Sequence, residues 1–196
     1  RVKSEGLSIP FIFHAGETLG DGDHSDDNLY DAILLGTKRI GHGVSLIKHP
    51  HLMKLCRERG ITIECCPISN EVLVTLFPTN TKRSLLTNDF LKRMASSMPT
   101  HPFPAFLNQG VPVALACDDP AVFGNLGLAY DFFQVLASSE ITGLVTLGII
   151  ARESLLSSSL DNQAKEQAVQ KWDRCWQRFL NEVVQSEEDS TLLQSS

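Results

Sequence analysis

Short apolar runs alternate along this chain with longer stretches in which apolar residues recur every three or four positions. The runs are residues 9–13, 38–40 leading into Gly41-His42-Gly43, 61–65 and 111–116. Their β-branched and aromatic content predicts strands. Between the first two, Asp26-Asp27 marks a helix start, and Leu29, Ala32, Ile33 and Leu35 form an apolar stripe that stops at Gly36. Between the second and third, Pro50 opens a helix containing Leu52, Met53, Leu55 and Cys56, and Gly60 closes it. Pro102 and Gly110 bracket a further short helix before the fourth run. Strand and helix alternating in this way predict βα units and a parallel sheet.

Beyond Asp118-Asp119-Pro120 the two-residue alternation does not return. Helices are predicted near 127–137, 144–156 and 162–184. In the last, Val169, Trp172, Trp176, Phe179 and Val183 follow helical spacing and read as a packing face. Residues 1–184 therefore read as one domain, and 185–196 as a polar tail expected to be disordered. The fold class is α/β. Four βα units suit a small open sheet or half of an eight-stranded barrel, which typically takes about 250 residues.

Composition narrows the partners. The 196 residues are 42% hydrophobic and 20% charged with a net charge of −6, which describes a globular protein and argues against nucleic acid. No apolar stretch is long enough to span a bilayer, so no membrane partner is expected. The five cysteines lack metal-knuckle spacing and read as free thiols. The chain opens at Arg1 and reaches a strand pattern within ten residues, as a trimmed complete domain or a chain that begins inside a larger fold would; the motifs below favour the second.

Polar residues gather at the ends of the four runs. His14 and Glu17 follow the first in His-Ala-Gly-Glu, and His42 ends the second in Arg-Ile-Gly-His-Gly. Pro67, Ser69 and Asn70 follow the third, and Asp118 and Asp119 end the fourth. The C-terminal ends of parallel strands are where α/β barrels build their sites. Imidazole and carboxylate are good zinc ligands, and zinc can bring the pKa of a bound water to ~7. Here His14 and Asp118 are the candidate ligands, with Glu17 and His42 free to move protons. The neighbouring Asp118 and Asp119 point different ways on extended backbone, so one can bind metal while the other holds substrate. The alternative is that both simply cap a helix at Pro120.

Together, His-Ala-Gly-Glu (14–17), Arg-Ile-Gly-His-Gly (39–43), Cys-Pro-Ile-Ser-Asn (66–70) and Asp-Asp-Pro (118–120) resemble the adenosine deaminase family in order and spacing. Gly-Thr-Lys-Arg-Ile-Gly-His-Gly (36–43), Lys-His-Pro (48–50), Val-Phe-Gly (122–124), Gly-Leu-Ala-Tyr-Asp-Phe (127–132) and the Trp172/Trp176 helix resemble its adenosine deaminase-related growth factor branch. The resemblance implies the C-terminal half of a TIM-type (β/α)8 barrel followed by C-terminal helices. It implies a Zn2+ cofactor and hydrolysis of adenosine, or 2'-deoxyadenosine, to inosine and ammonia. By the same resemblance His14 and Asp118 are metal ligands. Glu17 protonates purine N1, His42 orients or deprotonates the attacking water, and Asp119 anchors the base; Glu17 and Asp119 thus also bind substrate. A secreted location and a homodimer of the complete protein are further implications of the branch.

The departures from the family pattern also carry expectations. The family's His-x-His zinc pair has no counterpart here. His49 and His51 have that spacing but flank Pro50 at a helix start and are not expected to ligate, while His24 and His101 fall in predicted loops and are expected to face solvent. The other zinc nucleobase-deaminase fold needs Pro-Cys-x-x-Cys after its His-x-Glu, whereas Pro67 precedes Ile68-Ser69-Asn70. Two rival readings stay open: an AMP or adenine deaminase, and a non-catalytic fragment that binds a receptor or glycan.

Overall fold

The computed structural model describes residues 4, 6, 9–17, 24–76, 101–124, 127–138 and 143–194. The chain divides into two compact units, Arg1–Ser157 and Ser158–Ser196. In the first, strands β1 (Ile12–Ala15), β2 (Arg39–His42), β3 (Thr62–Cys65) and β4 (Val113–Leu115) form a sheet in the order β1-β2-β3-β4. Every pairing is parallel. Parallel neighbours need a crossover, and helices α1 (His24–Leu34) and α2 (Pro50–Arg59) supply the first two. Helix α3 (Pro67–Leu76) opens the third connection and α4 (Phe103–Asn108) leads into β4. The arrangement is α/β, with the βα order of half a TIM-type barrel.

Sequence chemistry sets the boundaries. Helix α2 begins at Pro50, whose missing N–H costs nothing in a first turn, and ends at Gly60 with φ 64°. The 3₁₀ turn Val44–Lys48 fills the space between β2 and α2. Strand β1 starts later than the 9–13 run suggests. Its paired register runs from Ile12↔Arg39 to Ala15↔His42, which brings His14 into the strand. Leu35 is 61% exposed rather than part of the buried stripe, because α1 ends at Leu34 and the chain turns there. Leu29, Ala32 and Ile33 remain buried, packed with Ile40, Ile63, Phe103 and Phe106 in the core beneath the sheet.

After β4 come α5 (Pro120–Phe123), α6 (Ala129–Ser138) and α7 (Leu144–Leu156), the last with the bounds its apolar pattern predicts. Helix α6 packs on α3, and α7 packs on β4. Arg39 donates from Nε to Glu64 Oε1 (2.6 Å) and from its guanidinium to the Ser157 carbonyl (2.9 Å), joining β2 and β3 to the end of α7. Among the described residues no helix is long and apolar enough to cross a membrane.

The second unit is the helix α8 (Asn162–Gln194). The Asp161 carboxylate accepts the Ala164 N–H at 2.8 Å and caps its start. Trp172 and Trp176 stack with ring centroids 5.3 Å apart, and Trp176 meets Phe179 at 5.4 Å, so the predicted stripe is an aromatic ladder. The helix runs on to Gln194, into the polar residues set apart as a tail. All five cysteines are free; Cys56, Cys65 and Cys66 are buried, and Cys175 is exposed. Burial pushes the Cys56 thiol up to about 11 and raises Cys65 and Cys66 as well, which keeps them protonated.

Candidate active site

The site begins with strand alternation. Ala15 is buried on the helix-covered face of β1 and Phe13 packs there, so His14 projects from the opposite face. The turn beyond is built on Gly16 at φ 64°. A Cβ on Gly16 would lie 2.8 Å from Ser45 Oγ and 2.9 Å from Leu29. The Gly16 N–H donates to Asn28 Oδ1 (2.9 Å), and its carbonyl accepts from the Ser45 N–H (2.8 Å). This clamped backbone delivers Glu17, whose side chain is 36% exposed, to the strand ends.

Strand β2 contributes Gly41-His42-Gly43. A Cβ on Gly41 would fall 2.5 Å from His14 Cδ2, so the absent side chain is what lets the His14 ring lie across β2. The ring meets His42 edge-on, centroids 5.0 Å apart. His42 itself sits at φ 68°, left-handed backbone that costs a non-glycine residue roughly 1–2 kcal/mol. Asp118, at φ 51°, is the other described non-glycine residue in that region. Strained backbone of this kind concentrates at functional sites.

Gly41→Ala is expected to destabilise the chain by about 1–3 kcal/mol, the usual cost of overpacking. Denaturant midpoints of this variant and of Gly41→Ala with His14→Ala provide the check. The second change removes the ring in the way and should recover most of the loss. Additive losses would mean that the ring lies elsewhere.

Helix α3 carries polar residues to the remaining corner. Ser69 Oγ donates to Asp118 Oδ2 at 2.7 Å, and Asn70 Nδ2 lies 3.4 Å from His42 Nδ1. Asp131 of α6, fully buried, accepts the Ile68 N–H at 3.2 Å and satisfies a donor in the first turn of α3. Burial raises the Asp131 pKa, only partly offset by its backbone hydrogen bonds. Thus the Tyr-Asp-Phe segment, noted only as a resemblance, supports the helix that steers Ser69 and Asn70.

The sequence candidates separate into three groups. His14, Glu17 and His42 converge, with ligand atoms all within 4.8 Å of one another. Asp118 joins them through its Oδ2, 4.0 Å from His42 Nε2, while Glu17 Oε1 is 3.6 Å from that nitrogen. Asp119 is exposed at the start of α5 and makes no side-chain cap hydrogen bond, so the helix-capping alternative does not describe it.

His101 corrects an expectation. It is 5% exposed, not solvent-facing, because its ring is enclosed between α3 and the start of α4. Pro102 marks a helix start beside it, but a proline neighbour does not tell a buried histidine from an exposed one, so no local signal gave its burial. Burial lowers its pKa to about 4. The backbone of His24 begins α1, and its side chain lies outside the described residues. His49 is 3.1 Å from Asp26 and 3.3 Å from the Tyr30 hydroxyl, and His51 is exposed, so neither joins the cluster.

The adenosine deaminase family model matches residues 4–175. The chain belongs to the adenosine deaminase family. Adenosine deaminase 2 from Sus scrofa is 36% identical over 183 residues, covering 92% of this chain and 32% of that protein. Such relatives put the chain in the growth-factor branch of the family that its motifs indicate. The chain spans about a third of the length of the curated relatives it matches.

Among solved structures, the adenine deaminase from Arthrobacter aurescens superposes with a TM-score of 0.64 at 24% identity, covering 88% of this chain and 44% of that one. An amidohydrolase from Burkholderia ambifaria with bound Zn reaches 0.67 at 17% identity, covering 93% and 44%. At these identities the likeness concerns the fold, and it supports the half-barrel architecture.

The donor chemistry suits a zinc-type cation. His14 supplies an imidazole against His42, the Ser69-anchored Asp118 a carboxylate 4.0 Å from His42 Nε2, and Glu17 a second carboxylate. Among the described residues the donor set whose atoms lie together is His14, Glu17 and His42, and Asp118 reaches it through His42, 4.0 Å away.

Proposed function

We propose that this chain carries the acid–base half of an adenosine deaminase site that hydrolyses adenosine, or 2'-deoxyadenosine, to inosine and ammonia. The supporting observation is the convergence of His14, Glu17, His42 and Asp118 at parallel strand ends, in a chain of the adenosine deaminase family. His14 and Asp118 would hold zinc. The choice over the tighter His14–Glu17–His42 set rests on the Ser69 hydroxyl, which orients the Asp118 carboxylate as a ligand's supporting partner does. When bound, zinc supplies Lewis-acid activation of water near neutral pH.

The protein's own residues do the rest. Glu17, half-buried beside His42, donates a proton to purine N1 and draws charge away from the ring carbon under attack. His42 orients the water. Asp119, free of capping duty, anchors the base. The reading as a family deaminase also favours a secreted protein acting on a small-molecule substrate, with a homodimer as its assembly.

An adenosine-to-inosine assay tests this on two proteins: the 196-residue chain, and a chimera in which it replaces its matching segment in the Sus scrofa relative. The chimera is expected to turn over adenosine in a zinc-dependent way, and adenine or AMP far more slowly. The chain alone is expected to show no activity above background. Its His14 and Asp118 make two ligands, whereas catalytic zinc sites use three protein ligands. An inactive, zinc-loaded chimera would favour a binding module instead. Zinc-dependent turnover by a monodisperse sample of the chain alone would show that its site is already complete.

A further inference from the structure

Hydrogen-bond polarity around His42 can be traced from an unambiguous donor. The Phe103 backbone N–H points at His101 Nδ1 at 3.0 Å. An amide N–H only donates, so Nδ1 accepts, and the neutral ring carries its proton on Nε2. Burial, which holds the His101 pKa near 4, keeps that ring neutral. His101 Nε2–H lies 3.2 Å from Asn70 Oδ1, which can only accept. This orients the Asn70 amide, since the reverse orientation would set its NH2 against the His101 N–H, two buried donors face to face. The Asn70 NH2 therefore meets His42 Nδ1, 3.4 Å away, as a donor. On the other side of the His42 ring, Nε2 looks toward Glu17 Oε1 at 3.6 Å and Asp118 Oδ2 at 4.0 Å, both acceptors when ionised.

We propose that His101 is a positioning residue of this site: acting through Asn70, it holds His42 in the tautomer protonated on Nε2, so that the ring meets a bound oxygen as a hydrogen-bond donor. All three side chains are nearly inaccessible to water, so no solvent molecule competes for the relay. The functional consequence rests on the deaminase reading above. A ring nitrogen that already carries a proton orients a water by donating to it and does not take its proton. Of the two roles that the family resemblance allows for His42, orienting is the one this relay builds.

Long-range 1H–15N spectra of the 196-residue chain labelled in histidine read the tautomer directly. In the unmodified chain His42 is expected to show an unprotonated Nδ1 and a protonated Nε2. His101→Gln keeps an N–H donor toward Asn70 and is expected to preserve that pattern, whereas His101→Leu is expected to let His42 populate both tautomers. Asn70→Asp, which offers only acceptors, is expected to draw the proton to Nδ1. A merely structural role for His101 would not produce this split between the Gln and Leu variants. The unmodified chain decides the tautomer even if a variant fails to fold: His42 protonated on Nδ1 overturns the proposal, as does a pattern that His101→Leu leaves unchanged. An inactive chimera whose His42 keeps the Nε2–H signature would count against deamination and leave the relay standing.

Discussion

Glu17→Gln is expected to lower kcat in the adenosine-converting chimera by about 10²–10⁴-fold, the range typical of a general acid or base, while zinc content is unchanged. The substitution keeps the volume and planar shape of the side chain, so the turn at Gly16 and the contacts of His42 stay in place. What it removes is the proton that can pass to purine N1. A proton-transfer role fits Glu17, because its Oε1 is 3.6 Å from His42 Nε2 and its side chain is 36% exposed, which leaves it accessible to a substrate. Steady-state kinetics with metal analysis of the same samples provide the check. Near-normal kcat would remove Glu17 from the mechanism. Loss of zinc together with activity would instead assign Glu17 to the metal, beside His14 and His42, whose ligand atoms lie within 4.8 Å of one another and of Glu17.

The second large effect separates two adjacent carboxylates. Asp118→Ala in the chimera is expected to lose zinc and turnover together, whereas Asp119→Ala keeps zinc and loses turnover. The Asp118 carboxylate accepts from Ser69 and lies 4.0 Å from His42, whereas Asp119 carries no side-chain capping bond. Because Asp118 occupies left-handed backbone at φ 51°, alanine there also adds strain. Asp118→Asn controls for this: asparagine tolerates that conformation at least as well as aspartate but is a poorer zinc ligand. Metal analysis of the three purified proteins decides it. Equal zinc in the Asp118 and Asp119 variants would reverse the two roles.

The hydrophobic pattern carried the elements well wherever the signal was local. Helix α7 has the bounds its periodicity predicts, and α2 runs between the Pro50 and Gly60 that punctuate it. Each strand lies on or beside its apolar run, since burying one face imposes alternation on consecutive residues. The departures come where pairing overrides composition. Phe11 is apolar enough to extend β1, yet the paired register begins at Ile12, and Leu35 is exposed because the chain turns as α1 ends. The four site motifs were equally legible, because each sits at the end of its own strand and needs only the parallel sheet to bring it beside the next.

The support around those motifs was not legible. Ser69 and Asp118 are 49 residues apart, His101 and Asn70 are 31 apart, and Ile68 and Asp131 are 63 apart. A periodic pattern records which face of an element is buried, but not which distant side chain will stand opposite it. A buried histidine and an exposed one next to proline also read alike in one dimension. The residue types and their order along the chain therefore determined the strand ends, the family and the candidate acids and bases. Only the packing of α3 against α6 and beside the β4 end decided which hydrogen bonds orient them, because a hydrogen bond depends on direction in space and the chain records only order.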